Sequence, residues 1–155
     1  MINPTLLNSN ALIECIQLKF DGSSLKSLKI LKDVKSTRRK KILPLEKTII
    51  KQLKLYFKKQ LKEFNVNLKL KGTAFQISVW NELLKVPYGT TVSYTDIANR
   101  INHPKAYRAV ANAIGKNPIP IIIPCHRVVH KNGNLSGYAY GDELKKFLLN
   151  LEHTY

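Results

Sequence analysis

"VSYTDIANRINHPKAYRAVANAIGKNPIPIIIPCHRVV", residues 92–129, packs two helix signals, a proline-fenced apolar run and a Cys-His-Arg triplet into 38 residues. Ser93-Tyr-Thr-Asp96 fits a capping box, in which hydroxyl and carboxylate reciprocally satisfy the first free amides of a helix. The spacing predicts a helix over "SYTDIANRI", ending around Asn102. After His103-Pro104, "AYRAVANAIG" predicts a second helix closed by Gly115 as its C-terminal cap. Two short helices joined by a tight turn, the second kept slim by Ala109, Ala111 and Ala113, fit a helix-turn-helix. An ordinary αα-hairpin fits as well, and the nearby Arg100, Lys105, Arg108 and Lys116 leave the two readings level.

The run from Ile119 to Cys125, bounded by Pro118 and interrupted by Pro120 and Pro124, reads as an extended, core-facing strand. Cys125, His126 and Arg127 follow at its end. A thiol reacts as its thiolate, which neighbouring positive charge favours. Successive side chains on an extended chain point to opposite faces, so His126 reaches Cys125 only through a bridging water or a turn beginning at Pro124. The imidazole then needs a carboxylate to orient it. Glu152, Glu82, Asp96 and Glu143 are candidates, and spacing does not choose among them. The plainer alternative is that Cys125 is a buried structural cysteine, as free cysteines often are. Cys15, with neither base nor cation beside it, reads as structural.

Outward from this stretch, 155 residues suffice for one ordinary domain or two small ones, and 44% hydrophobic residues suffice for a core. No apolar run approaches the roughly 20 residues of a membrane span, and no secretory pattern opens the chain. A soluble, cytoplasmic protein without membrane partners is expected. The net charge of +16 favours a polyanion, nucleic acid or an anionic membrane surface, only narrowly over the plainer reading of a lysine-rich or thermophile's ionic surface. Residues 1–71 hold 17 Lys+Arg against 5 Asp+Glu, and residues 72–155 hold 9 against 5, a shift that suggests two units.

In the first unit, Ile16, Leu18 and Phe20 alternate with polar residues, Asp21-Gly22 signals a turn, and Leu28 and Ile30 alternate again, predicting a β-hairpin. "KSTRRKK" (35–41) reads as a solvated loop. Ile49, Leu53, Phe57, Leu61 and Phe64 predict an amphipathic helix over 45–64, with Lys47, Lys51, Lys54, Lys58 and Lys62 on a face read as solvated rather than DNA-facing. In the second unit, Thr73 to Gln76 fits another capping box, opening a helix with Phe75, Val79, Leu83 and Leu84 inward and stopping before Pro87. "DELKKFLLNLE" (142–152) predicts a closing helix, with Leu144, Phe147, Leu148 and Leu151 on one side and Glu152 near its end.

"PCHRVV" after "NPIPIII", preceded by "VSYTDIA" and "AYRAVANAIG", resembles the O6-alkylguanine-DNA alkyltransferases, from about Phe75 to Glu152. The resemblance implies two domains. Residues 1–70 would form an α/β domain, a small β-sheet plus helix that is RNase H-like. Residues 71–155 would form a mainly α, winged-helix-like domain with the helix-turn-helix and an active-site strand. It further implies a monomer that binds duplex DNA through the minor groove and flips O6-alkylguanine out of the stack. The main substrate would be O6-methylguanine, with O4-methylthymine besides, and the alkyl group would pass irreversibly to Cys125, once per molecule and without cofactor or metal.

Residue by residue, the resemblance makes Cys125 the acceptor, His126 the water-bridged base, Glu152 the carboxylate that orients it, and Asn117 the brace between recognition helix and active-site strand. Arg108 would fill the gap left by the flipped base, with Ala109 and Arg127 also toward DNA. Tyr94 would crowd the target phosphate and hydrogen-bond the guanine. Pro120, Val128, Tyr138, Ala139 and Tyr140 would complete the pocket, Tyr140 either narrowing it or swinging into solvent. The N-terminal zinc site of some members is not expected, because residues 1–71 contain Cys15 and no histidine. His103, His130 and His153 read as surface or turn residues. The rival functions are a lesion sensor that does not repair, a helix-turn-helix regulator, and a cysteine hydrolase.

Overall fold

A computed structural model describes residues 9–31 and 43–152, so "KSTRRKK" and His153 lie outside the described residues. The chain divides into two compact units, Met1–Lys69 and Leu70–Tyr155.

In the first unit a short helix absent from the sequence reading, α1 (Ser9–Glu14), precedes the hairpin of β1 (Ile16–Asp21) and β2 (Ser24–Ile30). The strands pair antiparallel with Ile16 opposite Ile30 and Leu18 opposite Leu28, and an irregularity between Lys19 and Phe20. Gly22 turns the hairpin at φ 59°, a left-handed angle that costs glycine little. Helix α2 (Pro44–Phe57) buries Ile49, Leu53, Tyr56 and Phe57. It is shorter than its apolar period predicts. Lys59 turns left-handed at φ 61°, and the Gln60 amide reaches back to the Leu55 carbonyl at 2.9 Å, closing the helix before Leu61 and Phe64.

The second unit opens with α3 (Ala74–Leu84), whose capping box is formed as expected. The Gly72 backbone lies so close to the Trp80 indole that a Cβ there would stand 2.8 Å from the ring. Of the residues predicted inward, Val79 and Leu83 are buried, Leu84 is exposed, and Trp80 is buried instead, its indole N–H donating to the Ala113 carbonyl at 2.8 Å. That bond clamps α3 to α5. A two-residue strand, β3 (Val92–Ser93), leads into α4 (Tyr94–Arg100), again with its capping box formed. Asn102 turns left-handed to end α4, and α5 (Tyr107–Gly115) buries Val110, Ala113 and Ile114. Gly115 is the last helical residue and Lys116 the cap, so the predicted glycine cap is displaced by one position.

The apolar run does not form the expected strand. Pro120 and Ile123 make an isolated bridge, Ile121 adopts φ 72°, and Cys125–Arg127 form one 3₁₀ turn. The only strand here is β4 (Val128–Val129), pairing parallel with β3. Helix α6 (Asp142–Leu151) ends the described chain, burying Leu144, Lys145, Leu148 and Leu149. Small sheets with helices make this an α/β fold. Among the described residues no helix is long and apolar enough to cross a membrane.

Candidate active site

Three local devices bring the reactive residues together. Pro124 precedes the 3₁₀ turn, so Cys125, His126 and Arg127 leave the backbone in different directions rather than alternating along a strand. The Asn117 side chain staples the segment before it: its amide donates to the Ile123 carbonyl at 2.8 Å, and its oxygen accepts from the Ile119 amide at 2.9 Å. The β3–β4 pairing, Val92 opposite Val128 and Ser93 opposite Val129, sets the start of α4 beside the turn.

Cys125 is buried and lines a cavity of about 280 Å³. Tyr94 lines it from α4, Ala111, Ile114 and Gly115 from α5, Asn117 from the brace, and Gly137, Tyr138, Ala139 and Tyr140 from the loop before α6. This volume falls just below the ~300 to 1,000 Å³ of most ligand sites. The thiol approaches the Tyr138 hydroxyl at 3.7 Å, and the Tyr138 and Tyr140 rings stand tilted with centroids 6.0 Å apart. Burial pushes the Cys125 thiol up, opposed by hydrogen bonding from Asn117 and Tyr138 and by the charge of Lys145. Burial likewise raises the Tyr94 phenol, keeping it protonated.

Behind the thiol, His126 Nε2 meets Glu152 Oε1 at 2.9 Å, both side chains fully buried. A carboxylate only accepts, so Nε2 carries the proton and Nδ1 is the basic nitrogen. Burial lowers the His126 pKa despite the carboxylate, which keeps the ring neutral and able to take a proton. Glu152 is therefore the carboxylate that spacing left open. Glu82 instead pairs with Lys85 at 2.8 Å and Arg100 at 3.9 Å, and Asp96 is occupied in its capping box.

Arg127, expected toward DNA, faces inward. Its Nε and Nη2 donate to Glu152 at 2.9 and 3.0 Å, and its Nη1 donates to the Val86 carbonyl. With the Gly89 amide donating to Glu152 Oε2 at 3.1 Å, the carboxylate has no rotational latitude. Val128 and Pro120, expected in the pocket, do not line this cavity: both are buried, Val128 in β4 directly after the turn and Pro120 at its bridge to Ile123. Arg108 and Ala109 are exposed on α5, and His130 is exposed with its ring 5.2 Å from that of Tyr94.

Sequence reading missed Lys145. It lies on the apolar side of α6 with 0% exposure, its ammonium has no hydrogen-bond partner among the described residues, and it stands 6.0 Å from the Tyr138 ring centroid. Burial lowers its pKa, while the charges of Cys125 and Asp142 oppose the shift. In sequence, the available signal is that Lys145 stands three and four residues before Leu148 and Leu149, which are buried with Leu144, whereas Phe147 and Leu151, expected inward, are half-buried. Among the described residues no cluster of side chains suits a metal.

Residues 74–154 match the family model described as "6-O-methylguanine DNA methyltransferase, DNA binding domain". A Methanosarcina mazei methylated-DNA–protein-cysteine methyltransferase is 47% identical, with 90% of each chain covered. A Bacillus subtilis inducible protein of the same name is 55% identical over 63% of this chain, which spans about half (54%) of that relative's length. The crystal structure of a Mycobacterium tuberculosis OGT in complex with DNA superposes with a TM-score of 0.79 and 45% identity, covering 88% of this chain and 85% of that one.

Proposed function

The chain belongs to the 6-O-methylguanine DNA methyltransferase family, and on that premise we propose that Cys125 is the methyl acceptor of a DNA repair protein that works once per molecule. The observation that carries this reading is the Cys125 thiol on a purine-scale cavity, backed by the buried His126–Glu152 pair. The protein is a methylated-DNA–protein-cysteine methyltransferase rather than a regulator. It binds DNA. Its substrate is O6-methylguanine in duplex DNA, with O4-methylthymine the next candidate.

Chemically, His126 Nδ1 takes the thiol proton, directly or through water, and Glu152 stabilises the imidazolium that forms. Lys145 supplies positive charge near the forming thiolate, offsetting the cost of burying it. The thiolate sulfur then bonds the methyl carbon as the carbon–O6 bond breaks, and that electron pair passes to the purine. The departing guanine anion takes a proton from the Tyr94 hydroxyl, and the phenolate regains one through solvent, matching the single thiol proton that His126 took up. The thioether resists hydrolysis, so no step regenerates Cys125.

Arg108 and Ala109 face DNA in this reading. Arg108 shares a helical face with Ala111 and Gly115, which line the cavity, so it stands where an extruded base leaves a gap. Arg127 acts as a positioning residue for Glu152 instead. Tyr138, Ala139 and Tyr140 bound the alkyl end, and Tyr140 restricts the size of the adduct. Minor-groove entry, a monomeric state and a cytoplasmic location belong to the same reading. So do an RNase H-like first domain, supported by the β1–β2 hairpin with α2, and a winged-helix-like second one, supported by α4, α5 and β4.

The test is stoichiometry. With excess duplex DNA carrying labelled O6-methylguanine, the protein should take up one methyl group per molecule and stop. Continued turnover would identify a hydrolase, and tight binding without transfer a sensor.

A further inference from the structure

On the exposed side of α5 the structure places an aromatic ring where the core has no use for it. Tyr107, the first residue of that helix, is 46% exposed, and among the described residues only Leu43 and Leu84 are comparably exposed large apolar side chains. Its neighbour Arg108 has its guanidinium carbon 5.8 Å from the Tyr107 ring centroid, within cation–π range. No carboxylate among the described residues pairs with Arg108. The ring is thus the contact that defines where this long, rotamer-rich side chain sits. The helical register puts both residues on the side of α5 that further along lines the cavity, although neither lines it itself. Arg108 precedes Ala111 and Gly115 by three and seven residues, and Tyr107 precedes Ala111 and Ile114 by four and seven, all three being cavity residues.

We propose that Tyr107 is a positioning residue for Arg108, its ring holding the guanidinium at the cavity mouth so that Arg108 is already placed to occupy the duplex when the damaged base leaves it. This rests on Arg108 acting as the wedge. A free arginine would have to give up its side-chain freedom at the moment of base extrusion, whereas one lying on a ring has given up part of it beforehand. The proposal concerns only extrusion from duplex DNA. Transfer from a base already free in solution does not call on Arg108 and should not call on Tyr107.

The experiment compares methyl transfer from duplex O6-methylguanine DNA and from the free base O6-methylguanine, in Tyr107→Ala, Tyr107→Leu, Tyr107→Phe, Arg108→Ala and the double alanine variant. Tyr107→Ala and Tyr107→Leu should slow duplex transfer about two- to five-fold, the range expected for an exposed cation–π contact. Tyr107→Phe should match the parent protein, free-base transfer should be unchanged in the single Tyr107 variants, and Tyr107→Ala should cost nothing further once Arg108 is alanine. The proposal is overturned by losses that add in the double variant, because the ring would then touch DNA on its own account. It is also overturned by leucine serving as well as phenylalanine, by equal loss on the free base, or by no loss at all. If Arg108→Ala itself leaves duplex transfer unchanged, the wedge reading falls, and that outcome is separate from a failure of Tyr107 alone.

Discussion

The Glu152 carboxylate accepts from His126, from two nitrogens of Arg127 and from the Gly89 amide, all inside the protein. Each partner fixes a different element of the site. His126 belongs to the turn that carries Cys125, and Gly89 to the connection ahead of β3, while Arg127 also ties in the Val86 carbonyl. Glu152→Gln keeps the shape but removes the charge, leaving the Arg127 guanidinium buried without its counter-ion. Breaking a buried pair in this way costs roughly 3–5 kcal/mol, which chemical denaturation should show, along with slower methyl transfer. A loss below ~1 kcal/mol, the worth of a surface pair, would contradict this account. At this scale the sequence was informative about chemistry and silent about direction. Adjacent nucleophile and base left Cys125 level with a structural cysteine, and it was the family motif around "PCHRVV" that singled out Cys125 and His126. Arg127 was not legible: whether an arginine points to DNA or to a buried carboxylate depends on a glutamate 25 residues away. Lys145 was hidden for the same reason, since the Cys125 thiol whose charge bears on it lies on another element.

Between elements, the two-residue strand β3 decides where Tyr94 stands. Ser93 pairs with Val129 and also caps α4, its hydroxyl accepting from the Asp96 amide at 3.1 Å while the Asp96 carboxylate accepts from the Ser93 amide at 2.7 Å. Ser93→Ala should cost about 1 kcal/mol of stability, as loss of an N-cap generally does. Thr73→Ala, which uncaps α3, should cost a similar amount. Only the first should also slow transfer, because only α4 begins with a cavity residue; equal effects on transfer would contradict this. Both caps, the hairpin and the slim α5 were readable from the chain because their signals are local: a hydroxyl three residues before a carboxylate or amide, alternation around a turn, small residues at helical spacing. The misread ends are those where tertiary packing overrides propensity. Helix α2 stops at a left-handed lysine rather than a glycine, and the segment before Cys125 coils through Ile121 at φ 72°, an angle that β-branched residues avoid. Nothing local announces it. The Asn117 side chain bonding the Ile119 amide and the Ile123 carbonyl is what holds the chain there.

For the molecule as a whole, the positive charge is concentrated in the first 71 residues, while the chemistry is concentrated in the last 84. Lys47, Lys51 and Lys54 of α2, and Lys58 at its C-terminal cap, are exposed, away from the buried Ile49, Leu53, Tyr56 and Phe57. Function was more legible than architecture, because the reactive residues and both helices around them fall within one continuous stretch, with Glu152 the distant exception. The size of the cavity and the register of its walls were not legible, since they arise where α4, α5 and the loop before α6 converge. In the proposed reaction the methyl group ends on one sulfur atom. The most direct measurement is to react the protein with duplex DNA carrying isotope-labelled O6-methylguanine, digest it and locate the label by mass spectrometry. The label should lie on the peptide containing Cys125 and leave Cys15 bare, and Cys125→Ser should take up none; label on Cys15, or methyl released to solvent with both cysteines unmodified, would contradict the account.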